Sequence, residues 1–226
     1  MEDKPHYLNH RARLRERYLQ GGRTALHDYE VVEMLLGYAI PRKDIKPLAK
    51  TLLARFGSIK GIIDADISEI KSVKGMGETS AVIFKLIRDI LLYHLRETIT
   101  KTPQLNCTND MLNYWKVHFG GLKEEHFCVI CLNTQNEVVG METITRGTID
   151  GVFIHPRRVI EKVLTESASA IIIVHNHPSG DVSPSEDDIK MTKTIQQICL
   201  SLEIAFHDHL IIGKNSHYSF RHNGII

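Results

Sequence analysis

The run Ala170-Ile171-Ile172-Ile173-Val174, followed at once by His175-Asn176-His177-Pro178-Ser179-Gly180, constrains this chain more than any other feature. Four β-branched residues in succession predict a buried strand. Residues two apart on a strand point the same way, so His175 and His177 leave its end aimed at one point beyond the sheet. Pro178 and Gly180 then turn the chain. Pro184 precedes a helix that Ser185 starts, and Asp188 stands one turn in, able to face the same point as Ser185. Two imidazoles and a carboxylate suit zinc and leave a fourth position for water, as a catalytic rather than a closed structural site requires.

The texture around this run is mixed. His126 to Leu132 and Glu137 to Ile144 read as strands, Arg157 to Ser167 as a helix with Pro156 at its first position, and Ser185 to Leu200 as a helix. Ile204 to Ile212 and His217 to Phe220 complete a mixed sheet with flanking helices. The first hundred residues show no period-2 run of useful length. They read as helices over His10–Gln20, Asp28–Tyr38, Ile45–Phe56, Ile67–Val73 and Ser80–Leu95, with Gly57 as a C-cap signal. The stretch Glu97–Thr108, with Pro103, has little periodicity. The expected organisation is an all-α domain over 1–100, a linker over 101–108 and an α/β domain over 109–226.

Charge divides along the same line. Residues 1–102 carry a net +5 and residues 103–226 a net −4, while nine of the thirteen histidines lie in the second part. A basic half joined to an acidic, histidine-rich half implies polyanion binding beside metal chemistry. No apolar run approaches the ~20 residues of a membrane span. The first residues are charged with no apolar core, and the four cysteines are too scattered for a disulfide framework. A cytoplasmic protein is expected, with no membrane partner.

In the basic half, Val73-Lys74-Gly75-Met76-Gly77 lies between two helical stretches. Paired glycines allow a tight turn and bring backbone N–H groups at a helix start close to an anionic oxygen. The pattern resembles the helix-hairpin-helix motif, which grips DNA phosphates without reading sequence. Gly57-Ser58-Ile59-Lys60-Gly61 is a looser echo upstream, and Lys60, Lys71 and Lys74 could add ion pairs to phosphate. The bland alternative is a structural turn with glycine as a C-cap. Arg11, Arg13, Arg15 and Arg17 are either a solvated helix face or a second polyanion contact.

His175-x-His177, seven residues, then Ser185-x-x-Asp188 is similar to the JAMM motif of the MPN metallopeptidase fold. The HNHPSG form and the contexts YAIPRKDIKPLAK and HPRRV resemble the bacterial RadC proteins over nearly the whole chain, and Asn176 stands where eukaryotic deubiquitinases of this fold carry Ser or Thr. The resemblance implies an α/β MPN-type domain with one zinc per chain held by His175, His177 and Asp188. It also implies a glutamate base, here Glu142 with Glu137 as competitor, and Ser185 as donor to the oxyanion. The implied reaction is amide hydrolysis of a peptide or protein, with DNA as a second partner. The alternatives are a non-catalytic DNA-binding repair module whose metal site is structural or vestigial, and a nuclease, which one three-ligand zinc suits less well.

Other residues read as structural. Cys128 and Cys131 have redox spacing but sit in an apolar strand, so core thiols are expected. His207 and His209 repeat the alternate-histidine geometry and are read as packed polar residues or groups behind the metal rather than ligands. His155 reads as a helix-entry residue and Trp115 as core or domain interface.

Overall fold

Helices precede any strand, as the missing period-2 pattern requires. The computed structural model describes residues 6–41, 43–101, 108–147, 154–214 and 216–226. Chain contacts divide it into two units, Met1–Leu91 and Leu92–Ile226, with the boundary inside a helix.

The first unit holds α1 (His6–Gly21), a 3-10 turn, α2 (Asp28–Ala39), α3 (Lys46–Phe56), α4 (Ile59–Asp64), α5 (Ile67–Lys71) and the start of α6 (Glu78–Lys101). Local chemistry sets these ends. Pro47 lies in the first turn of α3, where its missing N–H costs nothing. Gly57, at φ 77°, closes α3 in the left-handed region. Ser58 then caps α4 by accepting the Gly61 N–H at 2.9 Å. Val32, Leu36, Ile45, Leu52, Ile62, Ile70 and Phe84 form the core, fully buried. Truncating one of these to alanine would cost about 2–5 kcal/mol.

Two of the four clustered arginines are consumed inside this unit. Arg11 donates to the carbonyls of Gly37, Ile40, Pro41 and Lys43 and so caps the end of α2. Arg17 grips the buried Glu30 with both terminal guanidinium nitrogens, at 2.8 and 3.0 Å. Burial pushes the Glu30 carboxyl up, but the Arg17 fork and the His27 N–H outweigh it and hold it below its ordinary value. Arg13, Arg15 and Arg17 are exposed, but Arg17 is engaged with Glu30 and Arg11 with the end of α2.

The second unit is built on one sheet of order β2-β1-β3-β4-β5. The strands are β1 (Glu125–Leu132), β2 (Val138–Gly147), β3 (Ala170–Asn176), β4 (Ala205–Ile212) and β5 (His217–Ser219). β1 runs antiparallel to both β2 and β3, β3 and β4 are parallel, and β5 closes antiparallel on β4. The parallel pair needs a crossover, supplied by α9 (Glu186–Ser201). On one face Cys128, Ile130, Ile172 and Val174 pack against Met111, Leu112, Trp115 and Phe119 of α7 (Thr108–His118) and its end. On the other, Phe127, Val129, Cys131, Ile171 and Ile173 pack against Val159 and Val163 of α8 (Pro156–Thr165) and Ile195 and Cys199 of α9. β3 is buried throughout because both faces are covered, which explains its unbroken apolar run.

The mixed sheet with flanking helices and the helical N-terminal region are as expected. Two helices, α4 and α7, were not anticipated. The linker reading over 101–108 falls mostly on residues 102–107, outside the described residues, but Glu97–Lys101 continue α6 and Thr108 begins α7. Cys128 and Cys131 are buried on opposite faces of β1, so they cannot meet. Among the described residues, no helix is long and apolar enough to cross a membrane.

Candidate metal centre

β3 carries His175 to the rim of the sheet on the face covered by α8 and α9, stacked on Phe127 with ring centroids 6.1 Å apart. Two residues on, the chain leaves the strand, and His177 follows the same side. Gly180, at φ 91°, lets the loop fold back, and its N–H reaches His177 O. The loop then delivers Ser185 as the cap of α9. Ser185 Oγ accepts the Asp188 N–H at 3.1 Å, and Asp188 Oδ2 accepts the Ser185 N–H at 2.8 Å. This capping box fixes Asp188 in the first turn, where the helix N-terminus favours a carboxylate.

Three ligand atoms converge. His175 Nε2 lies 3.0 Å from His177 Nε2 and 3.3 Å from Asp188 Oδ1, and His177 Nε2 lies 3.7 Å from Asp188 Oδ2. Tetrahedral zinc at about 2.0–2.1 Å from nitrogen and oxygen would separate its ligands by about 3.3 Å. Among the described residues this is the one cluster able to hold a metal ion. The donor set fits zinc, and three ligands leave one position open.

The imidazoles are oriented from behind. His177 Nδ1 donates to the Asp181 carbonyl at 2.7 Å, which turns Nε2 toward the cluster. His175 Nδ1 lies 2.8 Å from Nε2 of the fully buried His209. Burial pushes His175 down to about 4, so it is neutral at ordinary pH. His177 is raised, first by its contact with Asp188 and against the effect of burial. Burial pushes the Asp188 carboxyl up, but His177, His175 and the two Ser185 donors outweigh it and hold it far below the ordinary range.

The glutamates are placed differently from the sequence reading. Glu142 is half exposed and ion-paired to Lys162 of α8 at 3.1 Å, and Lys162 also binds Glu166. This group lies by Cys131, whose thiol burial and the two carboxylates push up to about 11. Glu142 pairs with Val129, which lies opposite Ile173, so β1 stands between it and β3, and its carboxylate is held by Lys162. It is not among the three groups that converge. Its competitor Glu137 accepts the Asn133 side-chain amide at 2.7 Å in the β1–β2 turn.

Glu125, at the start of β1, is the glutamate beside the site. Phe127 is opposite His175, so Glu125 falls opposite His177 in the antiparallel register. Burial raises its carboxyl, opposed by His177 and reinforced by Asp188. Asn176 fixes this approach. Its Oδ1 accepts the His126 N–H at 2.8 Å and its Nδ2 donates to the Glu124 carbonyl at 3.0 Å, clamping the backbone on both sides of Glu125.

Ser185 Oγ donates to Asp188 Oδ2 at 2.6 Å, so its proton is committed to the carboxylate in this state. In the N-terminal unit, Gly75 and Gly77 lie in the turn between α5 and α6, Gly75 at φ 99°. The Gly77 N–H bonds Ser80 Oγ at 2.9 Å, and Lys71 and Lys74 are exposed at the turn. Lys60 pairs with Asp64 inside α4, and a Cβ at Gly61 would meet Phe56 O at 2.0 Å, so this glycine serves close packing.

Two families match. Residues 105–225 match one described as the RadC-like JAB domain, and residues 6–82 match the UPF0758 N-terminal family. The chain is also similar to a UPF0758 protein of Ruegeria pomeroyi, at 40% identity over 98% of this chain and 100% of that protein.

Proposed function

For a chain that belongs to the RadC-like JAB-domain family, we propose zinc-dependent hydrolysis of an amide bond in a peptide or protein, joined to a helical unit that contacts DNA phosphates. The observation that carries the hydrolase reading is the convergence of His175 Nε2, His177 Nε2 and Asp188 within 3.0–3.7 Å. Zinc held there supplies Lewis-acid chemistry and makes a water acidic near neutral pH.

The protein's own groups do the rest. Glu125 takes the role first assigned to Glu142: it accepts the proton of the attacking water at its carboxylate and returns it to the leaving nitrogen. Its raised carboxyl suits a group that must both take and give a proton. Ser185 sets the Asp188 carboxylate through Oγ and N–H. It donates to a developing oxyanion once its proton leaves Asp188 Oδ2. Glu142, neutralised by Lys162, buttresses α8 against β2.

The DNA reading is supported by the α5–α6 turn with Lys71 and Lys74 exposed beside Gly75. The expected contact is to phosphate, without sequence preference.

The test is hydrolysis of a peptide library by full-length protein. Turnover that a chelator abolishes and zinc restores is the expected result. Turnover indifferent to both would remove the metallohydrolase reading.

A further inference from the structure

Behind the three ligand atoms lies a chain of hydrogen bonds whose direction can be worked out atom by atom. His209 is 0% exposed on β4, stacked on Phe220 with centroids 4.5 Å apart. Its Nε2 is 2.8 Å from His175 Nδ1, and its Nδ1 is 2.6 Å from Thr192 Oγ1 on α9. Thr192 Oγ1 in turn lies 2.6 Å from the backbone carbonyl of Asp188. The chain starts at one candidate ligand and ends on the backbone of another.

A carbonyl oxygen can only accept, so the Thr192 hydroxyl donates its one proton to Asp188 O. Thr192 Oγ1 must then accept from His209, which places the His209 proton on Nδ1. His209 Nε2 is left bare and must accept from His175, which places the His175 proton on Nδ1. His175 Nε2 is consequently bare, and it is the atom that faces His177 and Asp188. The reverse direction would set two lone pairs against each other at 2.6 Å between fully buried groups.

We propose that His209 and Thr192 are positioning residues forming a one-way hydrogen-bond relay, which locks the His175 tautomer with Nε2 open to a metal before any metal arrives. The proposal rests on the metal reading of His175, His177 and Asp188. It assigns His209 no contact with metal or substrate. It also explains a buried histidine that the hydrolytic chemistry leaves unused, and it makes α9 a double support: Asp188 offers its side chain to the centre while its backbone terminates the relay.

Two measurements test it on the full chain. In metal-free protein with 15N-labelled histidine, long-range proton–nitrogen correlation distinguishes bare from protonated ring nitrogens. His175 and His209 should both carry the proton on Nδ1; a His209 protonated at Nε2 would overturn the relay. This spectrum needs only wild type, so it stands even if variants fail to fold. Zinc affinity is then measured by competition for Thr192→Val and Thr192→Ser. Valine keeps the shape and removes the acceptor, and affinity should fall about tenfold or more. Serine should restore it to within about twofold of wild type. Equal affinity for Val and wild type would overturn the proposal. A wild type with both tautomers as stated but no zinc binding would uphold the relay and count against the metal reading alone.

Discussion

Lys162 Nζ lies 3.1 Å from Glu142 Oε2, and this ion pair ties Glu142 to α8 rather than to the histidines. Among the described residues, the nearby carboxylate without such a cation is Glu125, opposite His177 and within its electrostatic reach. On any substrate that wild type hydrolyses, Glu125→Gln should lower kcat by about 10²–10⁴-fold. Glu142→Gln should change kcat by less than about threefold, the scale expected for a solvated ion pair remote from the reacting atoms. Steady-state kinetics on the two variants decides between them. A large kcat loss confined to Glu142→Gln would restore the earlier assignment.

Metal affinity should fall in acid, and His177 sets where. Its folded value is raised, so in the metal-free chain it holds a proton somewhat above its ordinary 6.5. Zinc must displace that proton. His175, pushed down to about 4, is already bare there. Affinity should therefore drop by about tenfold per pH unit once the pH falls below the His177 value, with one proton released per ion. Isothermal titration in buffers of different ionisation enthalpy counts the proton.

Asn176 faces away from the ligands, yet its loss should reach Glu125. Asn176→Ala leaves the His126 N–H and the Glu124 carbonyl without their side-chain partner. Both groups are only partly buried, so a loss of about 1 kcal/mol per hydrogen bond is expected. Thermal unfolding reads that loss. The same variant should lower kcat more than zinc affinity, because it releases Glu125 and not the ligands.

The N-terminal unit should bind duplex DNA weakly and with steep salt dependence. In the full chain, Lys71→Ala and Lys74→Ala should each reduce the slope of log K against log salt by about one. Arg11→Ala should instead lower stability, since its guanidinium holds four carbonyls at the end of α2. Fluorescence anisotropy over a salt series separates the two effects. No binding at low salt would remove the DNA reading.

What could be read from sequence was what lies close along the chain. His175, His177, Ser185 and Asp188 fall within one strand–turn–helix, where the period of a strand and the offset of a cap decide direction. Glu125 is brought to them by antiparallel pairing of β1 with β3, across some fifty residues. In the sequence it is one of several charges, Lys123-Glu124-Glu125, ahead of an apolar run. Glu142 was what the family resemblance implied, and only the fold reveals Lys162 beside it. His209 was recognisable as half of an alternating pair. Its place behind His175 depends on the parallel pairing of β3 with β4 and on Thr192 from the crossover helix. The spacing of Met111, Leu112, Trp115 and Phe119 could have disclosed α7. α4, six residues long, carries too few turns for periodicity to register.

The central claim is that His175, His177 and Asp188 hold one zinc ion. Metal content of the purified full chain, compared with that of His177→Ala, tests it most directly. About one zinc per chain in wild type, lost in the variant while the fold is retained, is the expected result. No zinc in wild type after zinc is supplied at neutral pH, or equal zinc in both proteins, would contradict it.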